Sequence, residues 1–487
     1  MRKRENLWGL YSALAFAVAF LWTVISAGAA YSATYYMAPN GSDGGSGSTG
    51  SPWATFDKAM TVLRSGDTLL LKDGTYYQPM NVTVSGTAGN PVTIKAAGDG
   101  KVTIDGQSGM TPLTIHGSST SHIHNVTIEG LVLRNSSGHV VDIAYTDYIT
   151  LRRVSAYGAD YNSNSHVFSL VWSTHSLLED CAASGYGRAM YDIYESDYTT
   201  LRRCWGRWTG HSYTGGDTGG LVQIYGTSNS IVENFIGTKL ASWAGPVDGI
   251  GPWANYYNSG ANYNSFYGNV IIGINTVAFY DSSSKYNIRG NRFRDDVSIN
   301  TPSGFQQEGD DDLQITNMTI VNATHAGVTI QRNSYAPKKA DFVMRGLLKN
   351  SSLFIAKIGI VVNDNASQPH SFLHTSNNFY NVGTAYYRTS PGAGEASVNP
   401  NYNTPGYGNG AYLMVPPALR KIGEGGADLG AEVLYRYRDG VLTSEPLWPW
   451  PMESRIFAET GVSVTWEKKG GLWKTLDGVY PKSSLPN

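Results

Sequence analysis

One short phrase recurs between residues 125 and 317, and this repeat limits the folds that the chain can adopt. Each copy ends in a polar residue or a glycine that follows an apolar pair, and we take this residue as the marker of its repeat. The markers are Gly130, Arg153, Asp180, Arg203, Asn234, Asn269, Asn291 and Asn317. Successive markers lie 23, 27, 23, 31, 35, 22 and 26 residues apart. Such a spacing, with alternating β-branched residues and Asn or Gly at bends, is typical of a solenoid in which each repeat forms one coil.

The repeats lack the 3.6-residue periodicity of helices and contain runs of three to six residues separated by Gly, Asn and Ser. These runs indicate short strands. We therefore predict an all-β chain that forms a right-handed parallel β-helix. The segment from Pro52 to Asp67 places Phe56, Ala59 and Val62 at helical spacing, so we also predict a short amphipathic helix that caps the open N-terminal end of the coil.

The chain begins with basic residues, continues with an apolar run from about Leu7 to Ile25, and then has small residues up to Ala30. This pattern predicts a signal peptide over residues 1–33 and a secreted protein, extracellular or periplasmic, that is not held in a membrane after cleavage. An uncleaved membrane anchor is the alternative, because the apolar run is longer than usual. We expect the β-helix to occupy residues 34–433. The tail, residues 434–487, departs from the repeat and is expected to pack on the solenoid or close its end.

The charge of the chain limits its possible partners, and the cysteine positions limit its possible disulfide bonds. Charged residues make up 15% of the chain and the net charge is −2, so nucleic acid is not expected as a partner. The two cysteines, Cys181 and Cys204, occupy the same place in consecutive repeats, about one strand spacing (~4.8 Å) apart. A disulfide and a pair of buried thiols both fit this placement. We expect the protein to be a monomer.

Counting 11 and 9 residues back from the markers defines two polar rows separated by apolar residues such as Ile143 and Ile193. Because side chains alternate along a strand, the apolar set is predicted to point into the coil and both rows to point outward. Late in the series the alternation is irregular, and Tyr280 and Asp281 are alternatives for the outward position. The rows contain Asp142, Asp192, Tyr194, Gln223, Tyr225, Tyr280, Gln306 and Glu308.

Long insertions rich in aromatic residues precede the outward strands after Arg203 and Asn234. Loops beside a flat sheet form a cleft, and Trp208, Trp243 and Trp253 are predicted to stack on sugar rings there. Alternatively, these side chains anchor the loops to the coil.

The repeats, together with the opening TYYMAPNGSDGGSGSTGSPWATFDKAM and SGDTLLLKDGTYYQ, resemble secreted β-helix proteins of the pectate lyase and chondroitinase-B-like superfamily from about Thr34 to Glu432. The resemblance implies a polysaccharide lyase that cleaves uronic-acid polysaccharide by β-elimination, with a bound Ca²⁺ and a Lys, Arg, His or Tyr base. It implies no organic cofactor. On this scheme the metal ligands would be Asp192, Gln223 and Glu308, and the candidate catalytic residues are Asp192, Tyr194, Lys285 and Arg332.

Two other functions fit the same rows. Asp142 and Asp192 should lie two strand spacings apart, ~9.6 Å, at the upper limit of the ~6.5–9.5 Å between the carboxyl groups of an inverting glycoside hydrolase. Asp248, in the second long insertion, could shorten that distance. A non-catalytic extracellular glycan-binding or adhesive protein would need only the surface.

Overall fold

The computed structural model describes residues 32–212, 218–240, 242, 245–254, 260–283, 288–331, 344–363, 370–402 and 412–462. The predicted signal peptide, apart from its last two residues, lies outside these ranges. Among the described residues, parallel pairing joins 34 strands between Thr34 and Tyr387 into one solenoid. The prediction of an all-β, right-handed parallel β-helix is confirmed.

Each coil contributes to three parallel sheets, which run along the solenoid as three faces. The sheet that carries the two predicted rows consists of Met80–Val82, Leu113–His116, the first part of Val141–Arg152, Phe168–Thr174, Ala189–Tyr194, Gly219–Tyr225, Val247–Ala254, Val277–Ser283, Ser303–Gln307, and the last parts of Thr319–Gln331, Ser352–Asn363 and Asn378–Tyr387.

The second sheet follows the first along the chain in most coils. It consists of Thr34–Met37, Thr68–Leu71, Val92–Ala96, Ile123–Glu129, the last part of Val141–Arg152, Leu177–Glu179, Thr200–Arg202, Ile231–Glu233, Ser265–Tyr267, Ile288–Arg289, Arg292–Arg294, Asp310–Thr316, Met344–Lys349 and His370–Thr375.

The third sheet completes the coils. It consists of Gly74–Tyr76, Val102–Asp105, Leu131–Arg134, Ser155–Tyr157, Ala182–Tyr186, Trp205–Gly210, Ile236–Lys239, Val270–Ile272, Val297–Ile299 and the first parts of Thr319–Gln331, Ser352–Asn363 and Asn378–Tyr387.

Seven of the eight repeat markers lie at the bend between the second and third sheets. Asn291 instead lies within the second sheet, just before Arg292–Arg294, and Asp295 (φ 58°) occupies the bend of that coil. Six of them have the left-handed φ values that such a tight bend requires: Gly130 (79°), Arg153 (53°), Asp180 (54°), Arg203 (51°), Asn234 (52°) and Asn317 (55°). In the coil of Asn269 the preceding residue, Gly268, takes this conformation instead. Gly and Asn tolerate positive φ best, which explains why they recur at this place in the repeat.

The apolar residues between the two rows fill the interior, as predicted. Ile143 and Ile193 are fully buried, and the rings of Phe168 and Tyr191 stack 4.8 Å apart in consecutive coils. Cys181 and Cys204 are both buried free thiols.

The predicted helix is present as Phe56–Val62, and its Thr55 side chain accepts a hydrogen bond from the Lys58 backbone N–H at the helix start. Phe56 and Ala59 pack into the same core as the coils. No helix among the described residues is both long and apolar enough to cross a bilayer.

The C-terminal segment lies along the third sheet. It contains the 3₁₀ turns Pro417–Leu419 and Glu424–Gly426, an antiparallel pair formed by Tyr435–Arg438 and Val441–Pro446, and the helix Glu453–Thr460. Its Trp448 and Trp450 belong to one buried cluster with Trp205, Ile236 and Val270 of the coils. Arg455 then reaches the early coils, where its side chain donates to Asp99 and to the carbonyl of Leu131.

Candidate active site on the outer wall

The two predicted rows lie side by side on one outer face, which we call the outer wall. Strand pairing joins Asp142, Ser169, Asp192 and Gln223 in the first row, and then Gly251, at the place that corresponds to Gln223 in the next coil. The second row contains Tyr194, Tyr225 and Trp253, which are also direct partners. The sequence therefore predicted the register of the wall.

The alternative between Tyr280 and Asp281 is settled by strand pairing. Tyr280 pairs with Gln306 of the first row, whereas Asp281 pairs with Gln307 and is fully buried. Phe279 also fills the core, so the strand keeps its alternation without a one-residue slip. Tyr280 is on the wall and Asp281 points into the solenoid.

Asp192 is the most perturbed carboxyl of the first row. It is 8% exposed, and the Nε2 atom of His166 lies 3.6 Å from its Oδ2 atom. Burial raises the pKa of Asp192 to about 7, although the charge of Arg188 acts in the opposite direction. Near neutral pH this carboxyl can therefore hold a proton or release one.

A third row, which the sequence reading missed, lies three residues ahead of the first row. It contains His139 and His166, whose rings stack 5.3 Å apart, and then Ala189, Gly220 and Asp248 in register. The Nδ1 atom of His139 accepts a hydrogen bond from the His166 backbone N–H, so neutral His139 carries its proton on Nε2. Counting 14 residues back from Arg153, Asp180, Arg203 and Asn234 would have found the first four members of this row, whereas Asp248 lies 21 residues before Asn269.

His166 is neutral in this environment. Burial, followed by the charges of His139, Arg188 and His211, holds the pKa of His166 well below its usual range. Arg188 was also missed by the sequence reading, although it stands directly before the strand that carries Asp192. Its charge acts on Asp192, His166 and Tyr280, so it lies beside the centre of the wall.

Asp248 supplies a second carboxyl group, which is partly buried. Thr218 and Thr276 donate hydrogen bonds of 2.5 Å to its two oxygens, and burial raises the pKa of Asp248. Tyr280 is 5% exposed, and after burial the charges of Asp248 and then Asp192 raise its pKa. The Tyr280 phenol is therefore close to both carboxyl groups.

The aromatic residues of the wall divide into two groups. Tyr194 and Tyr225 stack 5.3 Å apart, and Trp253 meets Tyr280 edge to face at 6.5 Å; all but Tyr280 are partly exposed. Trp208 is only 1% exposed, and its Nε1 donates to the carbonyl of Gly187. The prediction that Trp208 stacks on a sugar is wrong, because the indole is buried in the core of the solenoid. Trp243 lies outside the described residues.

The two ends of the wall are held by polar contacts. His116 Nε2 lies 3.1 Å from Asp142 Oδ2, and this contact raises the pKa of His116. At the other end, Gln306 and Gln331 donate to Glu308 Oε1 and Ser282 donates to Glu308 Oε2. Asp142 and Glu308 thus have defined partners away from Asp192. Lys285 and Arg332 lie outside the described residues.

The predicted calcium ligands do not form one site. Asp192 and Gln223 are direct partners, but Glu308 lies four coils beyond Asp192, roughly 19 Å at one strand spacing per coil. The hydrogen bonds to Glu308 also engage both of its oxygens. Within the described ranges, no three His, Cys, Asp or Glu side chains are grouped so that they could hold a metal ion. The prediction of a three-ligand site at Asp192, Gln223 and Glu308 is wrong.

Comparison with known proteins agrees with this architecture. Residues 35–183 match the family model described as the Pel9A-like right-handed β-helix region. The first coils of this parallel β-helix are pectate-lyase-like. The matched region ends before Asp192, so the Pel9A-like region covers the first coils of the wall and not its centre.

Several proteins share sequence with part of this chain. The chain is 33% identical over 108 residues to the uncharacterized protein YwoF of Bacillus subtilis (strain 168), covering 21% of this chain and 22% of that protein. It is 34% identical over 79 residues to pectate lyase L of Dickeya chrysanthemi, covering 15% and 19%. The chain thus spans about a fifth of the length of these relatives. The crystal structure of pectate lyase Pel9A aligns with a TM-score of 0.42 and 16% identity over 70% of this chain and 80% of that one.

Proposed function

We propose that this protein is an exported polysaccharide lyase that cleaves a uronic-acid-containing polysaccharide by β-elimination on the outer wall. The observation that carries the proposal is Asp192, a buried wall carboxyl with a pKa of about 7 that lies beside His166 and within the electrostatic influence of Arg188. The similarity of part of the chain to pectate lyases agrees with this reaction class.

β-Elimination needs a base at C5, a positive charge or hydrogen-bond donor for the uronate carboxylate, and an acid for the departing O4. Arg188 supplies the positive charge. Tyr194 is the base for C5, because it stands two residues after Asp192 on the same strand face. Asp192 gives its proton to O4, since a pKa near the working pH is best for a general acid. Tyr225 and Trp253 extend the surface for neighbouring sugars. Lys285 and Arg332 remain candidates for the base.

Glycoside hydrolysis is the second candidate. Two carboxyl groups of raised pKa, Asp192 and Asp248, both act on Tyr280. In a hydrolase Asp192 would protonate the glycosidic oxygen, and a second carboxylate, Asp142 or Asp248, would activate water. This reaction leaves no double bond in the product.

A substrate panel tests both reactions. The purified protein is incubated with pectate, alginate and glycosaminoglycans, with and without chelator, and both the ultraviolet absorbance of the unsaturated product and new reducing ends are measured. We expect unsaturated product from at least one uronic-acid polysaccharide. We expect Asp192→Asn and Tyr194→Phe to lower its rate of formation by at least ~100-fold, the usual contribution of general acid–base catalysis.

Asp428→Asn, which changes a carboxylate on the C-terminal segment, is the matched control and should keep wild-type activity. Reducing ends without unsaturation would replace the lyase proposal by the hydrolase. Polysaccharide binding without either product would leave a glycan-binding protein. Full turnover by folded Asp192→Asn would remove Asp192 from the mechanism.

A further inference from the structure

Two carboxyl groups face each other inside the solenoid, directly behind the outer wall. Asp281 and Asp310 are both 0% exposed, and the strand that carries Asp281 pairs with the strand that carries Gln307. Asp281 is flanked along its strand by the wall residues Tyr280 and Ser282, and Gln307 by Gln306 and Glu308. The interior group and the wall therefore share two strands.

The hydrogen-bond donors around this group are too few for its acceptors. The Asp310 oxygens accept from the backbone N–H groups of Gly290 and Asn291 at 3.0 and 3.1 Å. Asp281 Oδ2 has only a long contact of 3.5 Å to the Asn291 side-chain amide. Within the described part of the chain, Asp281 Oδ1 and Gln307 Oε1 have no hydrogen-bond partner. The Gln307 amide cannot turn to help, because its Nε2 donates to the carbonyls of Asp310 and Arg345.

We propose that Asp281 is protonated at neutral pH and that its proton joins two neighbouring coils from inside the solenoid, so that loss of this proton in alkali loosens the outer wall. One proton on Asp281 allows its carboxyl to donate to Asp310 and reduces the buried charge of the pair from two to one. Two ionised carboxylates in contact inside an apolar core would be far less stable.

The charged groups around the pair also favour a proton on Asp281. Burial and then the charge of Asp310 hold the pKa of Asp281 well above its usual range, and Glu308 on the paired strand adds to this effect. The cation Arg292 acts on Asp310 and favours the charged form of that carboxyl. Its guanidinium is also bound to the carboxylate of Asp312. The proton therefore belongs to Asp281, and Asp310 is the carboxylate that accepts it.

Thermal unfolding of the full chain between pH 5 and pH 9 tests the proposal without reference to enzymatic activity. A group with a raised folded-state pKa stabilises the protein at low pH, and this contribution is lost as the pH rises through the folded pKa. Asp281→Asn keeps a side-chain N–H donor and cannot ionise. We expect the Tm of this variant to gain several degrees on the wild type between pH 5 and pH 9.

Asp281→Ser is the second variant, in case Asp281→Asn does not fold. Its Tm is expected to be lower at every pH because of the cavity, but its difference from the wild type must change with pH in the same direction. Asp310→Asn should be destabilised at every pH, because it loses an acceptor for a buried backbone N–H. Differences that stay constant with pH in both Asp281 variants would overturn the proposal. So would a metal ion that is bound stoichiometrically by the wild type and absent from Asp281→Asn, because a cation would then replace the proton.

Discussion

The Nε2 atom of His166 lies 3.6 Å from the Oδ2 atom of Asp192, in the next coil of the solenoid. The two residues are 26 positions apart in the sequence. They come together because His166 stacks on His139 and because the strand that follows His166 pairs with the strand that carries Asp192. A neutral imidazole beside a buried carboxyl leaves Asp192 without a full countercharge on that side. This explains how a carboxyl on an outer face retains its proton near neutral pH.

Asp192→Asn should stabilise the protein in alkali while removing its proposed activity. Because the folded-state pKa is raised to about 7, Asp192 contributes stability below its unfolded pKa, and that contribution is lost as the pH rises through 7. The amide cannot ionise, so at pH 8 we expect a gain of up to about 4 kcal/mol in the free energy of unfolding, at ~1.4 kcal/mol for each pKa unit. Urea unfolding at pH 5 and pH 8 measures the change, with Asp428→Asn as the control. An equal offset at both pH values would contradict the raised pKa.

Trp208→Ala should lower stability and Trp253→Ala should lower polysaccharide binding, although both residues come from aromatic insertions. Trp208 is core, so its removal should cost ~3–5 kcal/mol of stability. Trp253 is partly exposed on the wall, so its removal should change stability by about 1 kcal/mol or less and weaken polysaccharide binding. Denaturation and affinity electrophoresis on the same samples separate the two. Loss of binding only in Trp208→Ala would contradict our assignment.

Glu233→Gln should detach the C-terminal segment. Glu233 is fully buried and accepts from Arg202 Nε at 2.6 Å and from the backbone N–H groups of Asp439 and Gly440. Breaking a buried ion pair of this kind costs ~3–5 kcal/mol. Limited proteolysis should cut the segment faster in this variant. Glu445→Gln, which changes an exposed pair with Arg436 at 3.6 Å, is the control and should cost ~1 kcal/mol or less. Equal cleavage of both variants would argue against the role of Glu233.

Cys181 and Cys204 should react with a thiol reagent only after unfolding. Both are buried free thiols, and burial raises the pKa of Cys204. The reactive thiolate is therefore scarce as well as shielded. We expect two thiols per chain in denaturant without reductant and none in the native protein. No thiol in denaturant would show that the pair is a disulfide.

The sequence predicted most of the architecture because each coil of a parallel β-helix is formed by one continuous stretch of the chain. One repeat fixes one coil, and the marker at the left-handed bend sets the register of the next. Asp142, Asp192, Gln223 and Tyr225 could therefore be placed on one face by counting residues. The same alternation sent Ile143 and Ile193 inward, and the structure agrees.

The candidate site was predicted less well, because it depends on distances between coils and on burial. Counting placed Glu308 on the same wall as Asp192 but did not show that four coils separate them. The composition of the insertion before Gly220 suggested an exposed Trp208, but packing against Gly187 and Gly219 buries this indole. His166 and Arg188 precede the counted rows and so were not considered.

The sequence by itself therefore determined the winding and which side chains of each strand face outward, since both follow from a period of two along a strand and one bend per coil. Only the tertiary structure decided which of the outward-facing side chains are buried from solvent. Asp192 retains its proton because neighbouring coils bury it, and that burial arises from residues far apart in the chain.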